Sequence, residues 1–89
     1  MRRIIGFIFH KNFEKSFSKL SADVKRAFVE RKNLLQIDPD HPLLNDHALH
    51  GTWNDFRSIN VSGDVRAIYR MEGFIAVFRE IGTHSQLYK

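Results

Sequence analysis

No cysteine occurs in the 89 residues, which excludes disulfides, thiolate nucleophiles and cysteine-bound metal. Prolines number two and glycines five, too few for a flexible linker or a low-complexity tract. Long apolar runs are missing as well. The longest, Ile4-Ile5-Gly6-Phe7-Ile8-Phe9, follows a basic start at Met1, Arg2 and Arg3 and stops at His10-Lys11-Asn12. It is too short to cross a bilayer or to form the apolar part of a secretion signal, and reads instead as a strand. Negative charge is the scarcer sign: ten Asp and Glu stand against fourteen Lys and Arg, for a net charge of +4. That balance suits a partner bearing phosphates or an acidic protein, and composition does not choose between them.

What is present argues for a folded globule. Hydrophobic residues make up 43% of the chain and Phe alone occurs eight times, enough to offset the entropy lost on ordering. The length suits one domain over 1–89, and lack of cysteine fits a reducing cytoplasm.

Periodicity divides the chain into elements. Residues 3–9, rich in Ile and Phe, predict a buried strand. A helix starting at His10 or Asn12 places Phe13, Phe17 and Leu20 on one face. Ser21 caps a second helix, with Asp23 in its first turn and Val24, Ala27, Phe28, Leu34 and Leu35 turned inward; Asp38-Pro39 ends it. Lys25, Arg26, Arg31 and Lys32 form its basic solvated face. Asp38 to Asn54 has no period and reads as a loop. Three strands follow, Asp55–Val61, Asp64–Met71 and Phe74–Ile81, joined by turns at Ser62-Gly63 and Glu72-Gly73. The expected fold is α+β: an N-terminal strand, a helical hairpin and a three-stranded antiparallel meander, with the helices packed on one face of the sheet. Both parities of the strands carry apolar residues, so alternation does not decide which face that is.

Polar chemistry concentrates in two stretches, Asp46 to Arg70 and Ile81 to Tyr88. His47 and His84 are a candidate pair for moving protons near neutrality. Asp64 could orient one of them or accept a proton, or only shape the hairpin. Arg57, Arg66, Arg70 and Arg79 could hold a phosphate or pair with Asp55, Glu72 or Glu80. Transesterification of RNA needs such a set: a base for the 2′-hydroxyl, an acid for the leaving 5′-oxygen and fixed positive charge between them. His10, His41 and His50 read as turn or surface residues. The run His47-Ala48-Leu49-His50 lacks the spacing of a metal site, so neither metal nor other cofactor is expected. Trp53 reads as a plug at the junction of loop and strand.

The run Asp46-His47-Ala48-Leu49-His50-Gly51-Thr52-Trp53, then Phe56-Arg57, Gly63-Asp64, Ala67-Ile68-Tyr69 and Gly82-Thr83-His84-Ser85-Gln86-Leu87-Tyr88, closely resembles the YafQ-like branch of the RelE/ParE toxin superfamily. The resemblance spans nearly the whole chain. It implies a RelE-like fold and a cytoplasmic toxin of a type II toxin-antitoxin module that cuts mRNA on the ribosome without metal and is silenced by a cognate antitoxin protein. Carried over by position, it implies that His47, Asp64 and His84 are catalytic, with His84 as general acid. Arg66 would contact the phosphate and Tyr88 would stack on a base; Asn60, which is not carried over, can still donate a hydrogen bond to substrate through its own amide. Two positions depart from the pattern: Ser58 stands where relatives often carry an acid, and Asn60 where they often carry a histidine. One proton-handling group is therefore absent, and the base role shifts towards His47 or Asp64. The paired histidines speak against a gyrase-binding, ParE-like toxin, whereas the two departures leave room for a weakened remnant that only binds antitoxin. No membrane partner is expected, and no large apolar stripe calls for an oligomer.

Overall fold

Phenylalanine spacing decides how the two halves of the chain meet. In the computed structural model, which describes residues 3–88, β1 (Gly6–Phe9) is followed by α1 (Lys11–Ser18) and α2 (Ala22–Ile37). Met1 and Arg2 of the basic start, and Lys89, lie outside the described residues. Both helices begin at side-chain caps: the His10 ring accepts from the Asn12 amide at 3.0 Å and Ser21 Oγ from the Val24 amide at 3.3 Å. Asp38 is the C-cap of α2, because Pro39 follows it. The inward faces deliver Phe13 and Phe28, each almost wholly buried. They meet at 5.0 Å between ring centroids, and Phe28 packs edge-on against Phe78 of the sheet at 5.1 Å. Burying one such ring removes about 150–250 Å² from water, roughly 4–6 kcal/mol on an area basis.

The sheet has five strands in the order β1-β5-β4-β3-β2. Its antiparallel part is β3 (Arg57–Ser62), β4 (Val65–Glu72) and β5 (Ile75–Thr83), and β1 runs parallel to β5. β1 starts three residues later than expected and, as an edge strand with Ile8 exposed, is not the buried strand expected; the meander's boundaries differ by up to two residues, for local reasons. Asp55 has φ 75° and cannot belong to an extended strand, so β3 begins at Arg57. The two-residue turns are Gly63-Asp64 and Gly73-Phe74, with the glycine in first position at positive φ. Asp64 thus lies in the turn rather than on the strand.

A second difference lies in the expected loop. Residues 47–48 form β2, a two-residue strand (His47–Ala48) antiparallel to β3, between short 3₁₀ turns at Pro42–Leu44 and Gly51–Trp53. Arg31 holds this crossing in place by donating to the carbonyls of Leu43 and Asn60. A third is a bulge in β5: Ile68 faces Glu80 but Tyr69 faces Phe78, leaving Arg79 as the extra residue. The bulge reverses the inside–outside alternation, so Ala76, Phe78 and Ile81 all reach the core beneath the helices. That is why Ile81 joins the core although it shares the parity of Ile75 and Val77, which precede the bulge and are only half-buried.

Tyr69 and Ala67 point towards the helices, and the residue between them, Ile68, therefore points away. Ile68 is nonetheless fully buried, as is its cross-strand neighbour Ser58. Something covers the second face as well. It is the Gly51–Trp53 turn together with α3 (His84–Leu87), a single helical turn that continues β5.

Phe78 touches Phe7, Phe9, Phe13, Phe28 and Tyr69, so it links both helices to three strands. Phe78→Ala is expected to lower stability by about 4 kcal/mol, read as a shift of the urea midpoint with the slope unchanged.

Candidate active site

Asp46 anchors the edge of the sheet. Its side chain is 3% exposed; Oδ1 accepts from Arg57 Nε at 2.8 Å and Oδ2 from the Tyr69 hydroxyl at 2.5 Å. Burial works against the charge of Arg57, but the hydrogen bond and the attraction of Asp46 outweigh it and raise the guanidinium pKa above its ordinary value. The clamp lies on the helix side of the sheet, so the next residue, His47, emerges on the other side, opposite Ser58 in register. Asn45, in the left-handed region at φ 45°, turns its carbonyl back to within 2.7 Å of His47 Nδ1. A carbonyl only accepts, so Nδ1 carries the hydrogen and Nε2 of the neutral ring keeps a free lone pair.

The C-terminal stretch supplies the facing wall. Thr83 caps α3 through a reciprocal box: the Gln86 amide donates to Thr83 Oγ1 at 3.3 Å, and the Thr83 amide donates to Gln86 Oε1 at 2.8 Å. Gly82 makes room for it, since a Cβ there would lie 2.8 Å from Gln86 Oε1. Leu87 is buried, and its carbonyl accepts from Trp53 Nε1 at 2.9 Å, tying the two polar stretches together across the sheet. One turn apart on this helix, the rings of His84 and Tyr88 sit 4.6 Å apart.

Between the walls lies an open cleft of about 370 Å³. His47, Arg66, His84 and Tyr88 line it, with Asn45, Leu49 and Ser58 completing its sides. Arg66 is steadied by a bond from Nη1 to the Gly63 carbonyl at 2.9 Å. No carboxylate is among the lining residues, so the cleft presents one fixed positive charge and two imidazoles. A cavity of similar size, about 390 Å³, opens between α1, α2 and β1, but Phe9, Phe13, Phe17, Phe28 and Val29 dominate its walls, its charged lining is Glu14 and Lys32, and no histidine reaches it.

Four of the six expected site residues therefore share one cleft. The other two do not line it: Asp64 is exposed on the β3–β4 turn, and Asn60 sits on β3 beside Arg66 in register. The remaining histidines have structural places. His10 and His41 cap the turns that follow them, and His50 precedes the Gly51–Trp53 turn. Arg70 pairs with Glu72 at 2.6 Å and lies over Phe56. Trp53 is not the core plug expected: half-buried, outside the core cluster and edge-on to Phe56 at 5.4 Å, it serves as a tether. Asn45, Leu49 and Ser58 were not anticipated as lining. The position of Ser58 was readable once His47 was paired with it, but that pairing required a strand inside a loop-like segment. Among the described residues, no group of three or more His, Asp or Glu could hold a metal ion, and no helix is long and apolar enough to cross a membrane.

The sequence profile of YafQ, the bacterial toxin of type II toxin-antitoxin systems, matches residues 7–89. The chain belongs to the YafQ toxin family. It is a toxin of a type II toxin-antitoxin system. The fold of this family member is that of YafQ from Escherichia coli BL21(DE3), with a TM-score of 0.80 at 22% identity over the whole of both chains. YafQ in the E. coli DinJ-YafQ toxin-antitoxin complex matches with a TM-score of 0.77, also at 22% identity and full coverage of both. A YoeB/ParE toxin from Agrobacterium tumefaciens matches at 0.76 and 13% identity, over 90% of this chain and 99% of that one. These likenesses make the fold RelE-like, as expected. No curated protein matches the chain.

Removing the Asp46 carboxylate takes away the bonds it accepts from the buried Tyr69 hydroxyl and the partly buried Arg57 guanidinium. Asp46→Ala is expected to cost about 3 kcal/mol, measured by thermal unfolding.

Proposed function

We propose that this YafQ-family toxin is a metal-independent endoribonuclease that cuts mRNA on the ribosome. The observation that carries this reading is the convergence of His47, Arg66, His84 and Tyr88, drawn from distant parts of the chain, on one cleft. In the proposed reaction, His47 Nε2 takes the proton of the ribose 2′-hydroxyl. The 2′-oxygen then bonds to phosphorus, the bond from phosphorus to the 5′-oxygen breaks, and His84 gives that oxygen a proton. The products are a 2′,3′-cyclic phosphate and a free 5′-hydroxyl. Arg66 holds the phosphate and offsets the negative charge that builds up on its oxygens. Tyr88, against His84 at 4.6 Å, stacks on the base next to the scissile bond.

Asp64 and Asn60 are assigned contacts outside the proton-transfer steps. The exposed Asp64 reaches bound RNA only from the turn, and Asn60 contacts substrate beside Arg66. This assignment makes His47, with its ring fixed by the Asn45 carbonyl, the base. The antitoxin partner is proposed as a cognate protein with an acidic segment, from the net charge of +4 and the likeness to YafQ in complex with DinJ.

Purified protein added to RNA and to translating ribosomes, beside His47→Ala and His84→Ala, tests the reading. Each substitution is expected to lower the cleavage rate by on the order of a hundredfold or more. Cleavage that survives either change at full rate removes that histidine from the reaction. No cleavage by the wild type in either setting points to a toxin that acts by binding.

Arg66→Ala is expected to weaken RNA binding and to reduce the slope of log affinity against log salt by about one; an unchanged slope counts against a phosphate contact.

A further inference from the structure

Among the described residues, two side-chain oxygens are buried without a hydrogen-bond partner, Ser58 Oγ and Asn60 Oδ1. They stand two positions apart on β3 and so share its cleft-side face. Ser58 is 1% exposed, forms part of the cleft wall, and is paired in register with His47 on one side and Ile68 on the other. Burying a hydroxyl that bonds to nothing in the fold carries a desolvation penalty, and an alanine would occupy the same place without it. Among the described residues no group pairs with this oxygen. It borders the same cavity as Arg66, His47 and His84, and rotation about one bond re-aims the hydroxyl hydrogen.

We propose that Ser58 is a substrate-contacting residue whose hydroxyl donates a hydrogen bond to a non-bridging oxygen of the phosphate held by Arg66. The proposal rests on the nuclease reading above and extends it to a residue outside the expected site. A neutral donor at this point holds the phosphate without adding charge, and the low exposure of the site strengthens the bond relative to one made in water. The contact exists before and during reaction, so it acts on binding more than on the chemical step.

The test compares wild type, Ser58→Ala and Arg66→Ala. Cleavage of RNA, free or on the ribosome, is followed across a salt series to obtain kcat and KM, and Tm is measured alongside. For Ser58→Ala, kcat/KM is expected to fall about tenfold, as for a hydrogen bond to a charged group, with the loss in KM. The salt slope should match wild type because a neutral group releases no counterion, and Tm should be unchanged or higher. Arg66→Ala should instead flatten the slope. Wild-type kinetics in Ser58→Ala beside a weakened Arg66→Ala overturns the Ser58 contact and leaves the nuclease reading standing. A fall in Tm, or a loss confined to kcat, also overturns it, by assigning Ser58 to the fold or to the positioning of His47. A wild type that cuts no RNA overturns the nuclease reading and this proposal with it.

Discussion

The carboxylate of Asp46, shared between Arg57 and Tyr69, fixes the point at which a loop becomes an edge strand. A two-residue strand has almost no ladder of its own, so without a buried anchor its register against β3 would slip easily. A slip of one residue would carry His47 to the helix side. The clamp removes that freedom with bonds on the face where chemistry is absent, and leaves the other face to the imidazole. Tyr69 belongs at the same time to the aromatic core through Phe78, so the position of the site loop is tied to the packing of the whole sheet.

The sheet then has two faces to cover and unequal means of covering them. Two helices and a cluster of phenylalanines seal one. The other is sealed only near Ile68 and Leu87, by one turn and one short helix held together through Trp53. A partial lid leaves a cleft at its border, and the histidines, Arg66 and Tyr88 occupy that border. The cleft is thus a product of incomplete coverage: with a third full helix on this face, Ser58 and Arg66 would lie under it.

Much of the fold was legible in the residues. The caps at Ser21 and His10, the stop at Pro39 and the glycine turns follow local rules that tertiary packing left intact. Two features were not. The bulge at Arg79 leaves no local mark in Phe78-Arg79-Glu80, and it showed only as an apolar pattern that fitted neither face. β2 was hidden because two residues are too few for a period, and its existence depends on Asp46 finding partners far along the chain. For the candidate site, His47, His84, Arg66 and Tyr88 could be named from residue type and motif. Asp64 could be named but not located, since turn and strand differ there by a single position. Ser58 could be read only as a departure from the family pattern, a lost acid; a part for its own hydroxyl shows only once its neighbours are known to leave it unbonded.

The tether from Trp53 to Leu87 has an optical consequence. This is the only tryptophan in the chain, and its ring nitrogen is bonded to the C-terminal wall of the cleft while its ring stands clear of the phenylalanine cluster. Its emission therefore reports whether α3 is docked, separately from the melting of the core. Fluorescence of the unlabelled protein can follow the opening of that wall as nucleic acid or an inhibitory protein arrives.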